Sequence, residues 1–161
     1  MSIEEKNVYK SSDPFPALEA LKFCSDVDAH LNKKITDLTD KMNIYSEQYN
    51  DVETLRNILL NEVAININSE EINFEGTDIQ TAIDRLHDHG ILEGERVYRF
   101  TITDLERFKA SLESKATQLR NKNQEPSLLI QPLLNILKLF VDIGKAIIEA
   151  DERFKEKTNK I

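Results

Sequence analysis

The residues whose types could do chemistry are few, and their spacing serves none. His87-Asp88-His89 is the single cluster of metal-ligand types. Side chains two apart on a helix point in different directions, and no third ligand lies nearby in the spacing. The cluster reads as polar residues in the last turn of a short helix, where a protonated histidine would suit the negative end of the helix dipole. Glu70, Glu71, Glu93, Glu95, Glu149, Asp151 and Glu152 fall in no acid/base motif. The last three lie on the polar side of a terminal helix, as a solvated face does. Cys24, the one cysteine, has no partner for an intramolecular disulfide. It sits among Ala17, Ala20, Val27 and Leu31 at helical spacing, as a small core residue. The chain has no P-loop, dinucleotide fingerprint, Gly-x-Ser-x-Gly elbow or Cys-x-x-Cys pair. The expectation is a protein that is not an enzyme, with no catalytic residue, no metal site and no cofactor.

What the chain does carry is two heptad-phased apolar stripes. The first runs Leu31, Ile35, Leu38, Met42, Tyr45, Tyr49, Val52, then Leu59, with Arg56 breaking the register. The second runs Leu133, Ile136, Phe140, Ile143, Ile147, Ala150, Phe154, then Ile161, with Lys157 breaking it. Steps of three and four average 3.5 residues, the spacing that keeps a seam facing a partner helix in a left-handed coiled coil. A helix over 31–59 is roughly 43 Å long at 1.5 Å per residue. Its stripe needs a cover, and the second stripe is the simplest one. The spacing therefore predicts a mainly α fold, a long helical coiled-coil hairpin, with Leu31, Ile35, Leu38, Met42, Tyr45, Tyr49, Val52 and Leu59 as hairpin core.

Between the stripes the pattern changes in kind. Residues 1–15 read as a disordered N-terminal segment, and Asp13, Pro14 and Pro16 as a helix entry. One long helix over about 16–62 follows, or two with a kink near 27–31, where the register slips like a stutter. A small α/β insertion over about 64–103 interrupts the single domain of 16–161. In it, 64–68, 72–75 and 97–102 alternate apolar and polar residues as short strands do. Thr77 and Gln80 fit a capping box, Ile79, Ile83 and Leu86 form one helix face, and Gly90 supplies the left-handed stop. Thr103-Asp104-Leu105-Glu106 reads as a second capping box, continued by Phe108, Leu112, Ala116 and Leu119. Pro126 and Pro132 then call for either a loop or a bend around 123–132.

Composition narrows the partners. The 21 basic and 29 acidic residues give a net charge of −8, which argues against nucleic acid or an anionic membrane as the main partner. Charged residues make up 31% of the chain against only four glycines, a balance that suits solvated helices better than a sandwich or barrel. The N-terminus has no apolar core of a cleavable signal. The best membrane candidate, 128–148, carries Pro132, Lys138, Asp142 and Lys145, so no membrane span is expected.

The second stripe has two readings: internal core alone, or core plus a face buried on assembly. Leu128-Leu129-Ile130, Leu133-Leu134, Ile136-Leu137 and Leu139-Phe140-Val141 put apolar side chains on more than one face. A two-helix hairpin buries only a narrow seam, which favours assembly. Leu133, Ile136, Phe140, Ile143, Ile147, Phe154 and Ile161 are the expected self-assembly or partner residues.

The order of parts resembles the extracellular filament and needle-tip proteins of type III secretion systems, the EspA-like filament subunits above all. The segment 71–79, Glu-Ile-Asn-Phe-Glu-Gly-Thr-Asp-Ile, is similar to the extended segment and turn before that family's C-terminal region. Residues 104–119 look like the start of its C-terminal coiled coil, and the stripe from Leu133 occupies the place of its assembly helix. Pro126 and Pro132 depart from the family's usual continuous helix, and the Ser/Thr/Ala-rich N-terminal stretch is missing. The resemblance implies export through a secretion channel with 1–15 as an uncleaved signal. It also implies capture of the C-terminal helix by a cytoplasmic secretion chaperone, then assembly with needle subunits or with itself outside the cell. The alternative is a cytoplasmic coiled-coil adaptor or secretion chaperone whose insertion, around Gly90 to Phe100, offers a strand edge to a client.

Overall fold

The computed structural model describes residues 16–160. The expected disorder and signal role of 1–15, the helix entry at Asp13 and Pro14, and the assembly residue Ile161 lie outside the described residues. Among the described residues, three helices and two short strands follow in the order α1 (Pro16–Ile65), β1 (Ile72–Asn73), α2 (Asp78–Asp88), β2 (Arg99–Phe100) and α3 (Ile102–Asn159). The two long helices pack against each other, and the segment between them holds a two-stranded sheet. This is the expected helical hairpin with a small mixed insertion.

α1 opens on Pro16, whose missing N–H falls among donors that have no intrahelical partner anyway. It then runs unbroken for 50 residues, so the stutter near 27–31 ends nothing. Its end corrects one expectation. Ala64 and Ile65 stay helical and 66–68 form a turn, where alternation predicts a strand. The Asn66 backbone N–H donates to the Glu62 carbonyl and its side chain to the Glu62 carbonyl and carboxylate, which continues the helical pattern into the turn. Ile65 and Ile67 remain 75% and 65% exposed, so the alternation has no sheet to serve.

The other two strands exist but are shorter than 72–75 and 97–102. Ile72 pairs with Phe100 and Asn73 with Arg99, antiparallel, and one further bond from Phe74 N–H to the Tyr98 carbonyl prolongs the ladder. α2 matches its caps. The Thr77 hydroxyl accepts from Gln80 N–H, while the Gln80 side chain reaches back to the N–H of Gly76. Gly90 takes φ 68°, a left-handed conformation that disfavours any other residue there.

The start of α3 is a second correction. Thr101, not Thr103, caps it: its hydroxyl accepts from Asp104 N–H at 3.2 Å and donates to the Asp104 carboxylate at 2.9 Å. Phe100 must end β2 inside the core, so the helix begins directly afterwards. α3 then continues through Pro126 and Pro132 without the loop that those prolines allow. Each ring removes one i→i−4 bond, but Pro126 is buried and so adds apolar contact where its N–H is lost.

The chain divides into two compact units. The described residues up to Asp37, with those from Leu129 onward, form the terminal unit. Residues 38–128 form the central unit. The contiguous hydrophobic core lies in the central unit: Val52, Leu55 and Leu59 of α1, Phe74 beside β1, Ile83 and Leu86 of α2, Phe100 of β2, and Leu105, Leu112 and Leu119 of α3. Leu55 shows how the seam passes Arg56. Val52, Leu55 and Leu59 are spaced three and four apart and all fully covered, so the stripe steps through Leu55 and is not broken. Arg56 sits at its edge, ion-paired with Glu53 at 2.9 Å and Glu113 at 3.7 Å. The Asn123 side chain donates to Ser46, and the Arg120 guanidinium lies over the Tyr49 ring, joining the two long helices across this unit.

Candidate assembly surface

The terminal unit is built differently. Residues 129–159 include no buried side chain, and α1 contributes two buried ones before Asp37, Cys24 and Leu31. The expected assembly residues divide by exposure. Leu133, Phe140 and Ile147, seven apart, are half-buried, and the Phe140 ring meets Phe23 of α1 with centroids 6.2 Å apart. Ile136, Ile143 and Phe154 are exposed. Phe154, seven beyond Ile147, shares the heptad position of the half-buried three, so that line is partly covered at Leu133, Phe140 and Ile147 and open at Phe154, while Ile136 and Ile143 of the other line are both exposed.

Further apolar residues are exposed on other faces. Leu129, Leu134, Leu139, Val141 and Ile148 are also exposed, as are Leu18 and Phe23 on α1. The apolar doublets of 128–141 signal this excess, but a heptad reading assigns only one residue per step to the seam and so misses the rest. A stretch of α3 is long and apolar enough to cross a membrane by length and composition, and none of it is buried. Farther along, Glu149 pairs with Arg153 and Asp151 with Lys155 at helical spacing, so the last turns are a charged, solvated face. The Asp151 hydrogen bond raises the Lys155 ammonium above its ordinary pKa.

Of the first stripe, Leu31, Val52 and Leu59 are buried; Ile35, Leu38, Met42, Tyr45 and Tyr49 are half-buried. Tyr45 and Tyr49 pack on the central core.

The central unit carries its own features. A cleft of about 530 Å3 has a floor of Ile83, Leu92, Phe100 and Phe108 and a rim that includes Glu93, Glu95 and Lys115. Behind it, Tyr98 donates to Asp84 and Arg96 bridges Asp84 and Asp88. The Tyr98 hydroxyl, then Arg96, holds the Asp84 carboxyl below its usual range, and the same bond pushes the Tyr98 phenol up. This network fastens the 96–98 segment to α2. His87 is half-buried and His89 exposed. Among the described residues, no group of three His, Cys, Asp or Glu side chains gathers as metal ligands.

What the geometry offers is a covered core in one unit and an open apolar surface in the other. Comparison with family models, curated proteins and solved structures returns no match.

Proposed function

We propose that this chain is a structural protein that assembles through the terminal unit, with the exposed apolar residues of α3 as its contact surface. One observation carries the reading. Eight large apolar side chains from Leu129 to Phe154 are 39% to 70% exposed. Large exposed apolar side chains this dense along one helix mark an interaction surface. Burial of apolar area at about 25 cal/mol per Å2 drives helix against helix, and a net charge of −8 keeps the unassembled subunit dispersed. A secreted type III filament or needle-tip subunit, handed over by a cytoplasmic chaperone, is the specific form of this reading. Its support is the sequence resemblance over 71–161.

The test is the concentration dependence of molar mass for the full chain and for Leu139→Glu with Phe154→Glu. These two side chains are 57% and 70% exposed, so the charges disturb no core. Growth of mass with concentration in the wild type, lost in the variant at equal helical content, is the expected result. A wild type that stays monomeric at every concentration refutes self-assembly. Recovery of the uncleaved chain from culture medium, dependent on an intact export channel, separates a secreted subunit from an intracellular adaptor.

A further inference from the structure

β2 pairs with β1 alone, so its outer edge carries no further strand among the described residues. The register shows which groups stand there. The Phe74 N–H donates to the Tyr98 carbonyl, so Tyr98 turns toward β1. Successive residues of an extended strand turn their backbone groups to opposite sides. Arg99 and, two residues before it, Val97 therefore direct their N–H and C=O groups away from β1. Neither makes a backbone hydrogen bond among the described residues, and both are exposed.

The cleft of about 530 Å3 in the central unit runs along this same edge. Val97, Arg99 and Phe100 line it, and neither residue of β1 does. Side chains alternate along a strand, so those of Val97 and Arg99 stand on the face opposite Phe100. A cavity that touches all three lies at the strand's edge and not over one face. Beside it Phe100 stacks on Phe108 with ring centroids 5.2 Å apart, which makes the floor apolar.

We propose that the outer edge of β2 pairs with an extended segment of another protein in which apolar and basic residues alternate. The inference concerns the central unit and does not rest on the assembly reading. An open strand edge is matched by another backbone, whose N–H and C=O groups repeat at the same spacing, and the cleft takes the side chains on one face of that added strand. Charge selects its other face. Of the Asp, Glu, Lys and Arg side chains lining the cleft, Arg99 is held by Glu75 at 3.0 Å and Asp104 by Arg107 at 3.7 Å. Two carboxylates, Glu93 and Glu95, then stand against one ammonium, Lys115. That excess calls for basic residues in the partner, and a net charge of −8 disfavours a second copy of this chain.

The probe is a fluorescein-labelled hexapeptide of alternating valine and lysine, titrated into the full chain and followed by anisotropy and by amide hydrogen exchange in NMR spectra. Binding is expected, with exchange at Val97 and Arg99 slowed about tenfold or more at saturation. Two further peptides keep the side chains but carry methyl groups on the valine or on the lysine backbone nitrogens. At least one of them should bind at least tenfold more weakly, because alternate N–H groups face opposite edges. A valine–glutamate peptide should also bind at least tenfold more weakly. Glu93→Lys with Glu95→Lys, both at exposed positions, should reverse that preference. Equal binding by the unmodified and both methylated peptides overturns backbone pairing, since the cleft would then read side chains alone. No binding at millimolar valine–lysine peptide, or binding that leaves exchange at Val97 and Arg99 unchanged, overturns the proposal. So does slowed exchange on concentrating the protein by itself, because the edge would then belong to a second copy.

Discussion

Leu112 and Leu139 lie on the same helix and differ in almost nothing but cover. Leu112 is 0% exposed in the central core; Leu139 is 57% exposed in the terminal unit. Truncating Leu112 to alanine removes three carbon atoms from a fully packed site. The lost transfer energy, plus the cavity left behind, comes to about 3–4 kcal/mol. Leu139→Ala removes atoms that are more than half in water, at a cost of about 1 kcal/mol or less for the isolated chain. Urea unfolding followed by far-UV circular dichroism, at a concentration where the chain is monomeric, measures both. With a slope of about 1–3 kcal/mol per molar urea, Leu112→Ala should lower the midpoint by more than 1 M. Leu139→Ala should barely move it. Repeating the Leu139 measurement where the protein associates should enlarge its effect, because assembly then covers the side chain. Equal costs for the two variants in the monomer would refute the reasoning, since the terminal unit would then hold a core as tight as the central one.

The cap of α3 can be assigned by pair: Thr101→Ala should cost about 1 kcal/mol and Thr103→Ala close to nothing, read by the same unfolding transition. The glycines should behave oppositely. Gly90→Ala, at φ 68°, should destabilise by about 1–2 kcal/mol. Gly144→Ala, whose added methyl meets nothing, should stabilise the monomer by about 1 kcal/mol in thermal melts. Asp84 predicts an acid dependence. Its folded pKa is depressed first by the Tyr98 hydrogen bond, so its contribution is complete above the ordinary aspartate value of about 3.9 and is lost as pH falls through the lower folded value. Tyr98→Phe should move the Asp84 carboxyl titration, followed by NMR, back toward that ordinary value. An unchanged titration would place the cause elsewhere.

Local chemistry was legible from the residues alone. Heptad spacing marks both long helices; Thr77, Gln80 and Gly90 bracket α2; and alternation marks β1 and β2. These are short-range signals, since a cap or a repeat needs only residues within a turn or two. The misreadings share one physical cause. Residues 64–68 alternate like a strand, but a strand requires a paired edge, and none reaches them. Thr101 and Thr103 both carry a cap's chemistry, and the choice falls to Thr101 because Phe100 is anchored in the core. Arg56 reads as a break only until Leu55 is seen to be fully covered. The second stripe is the larger case. Periodicity tells which residues share a face, and it stops there. What opposes that face depends on contacts far apart in sequence, and these decided that Leu112 is sealed, that Phe140 meets Phe23 of α1, and that Ile136, Ile143 and Phe154 are left in water. The sequence by itself determined the helices and their apolar lines; only the tertiary structure decided which lines are already covered, because burial belongs to pairs of surfaces and a single helix supplies one of them.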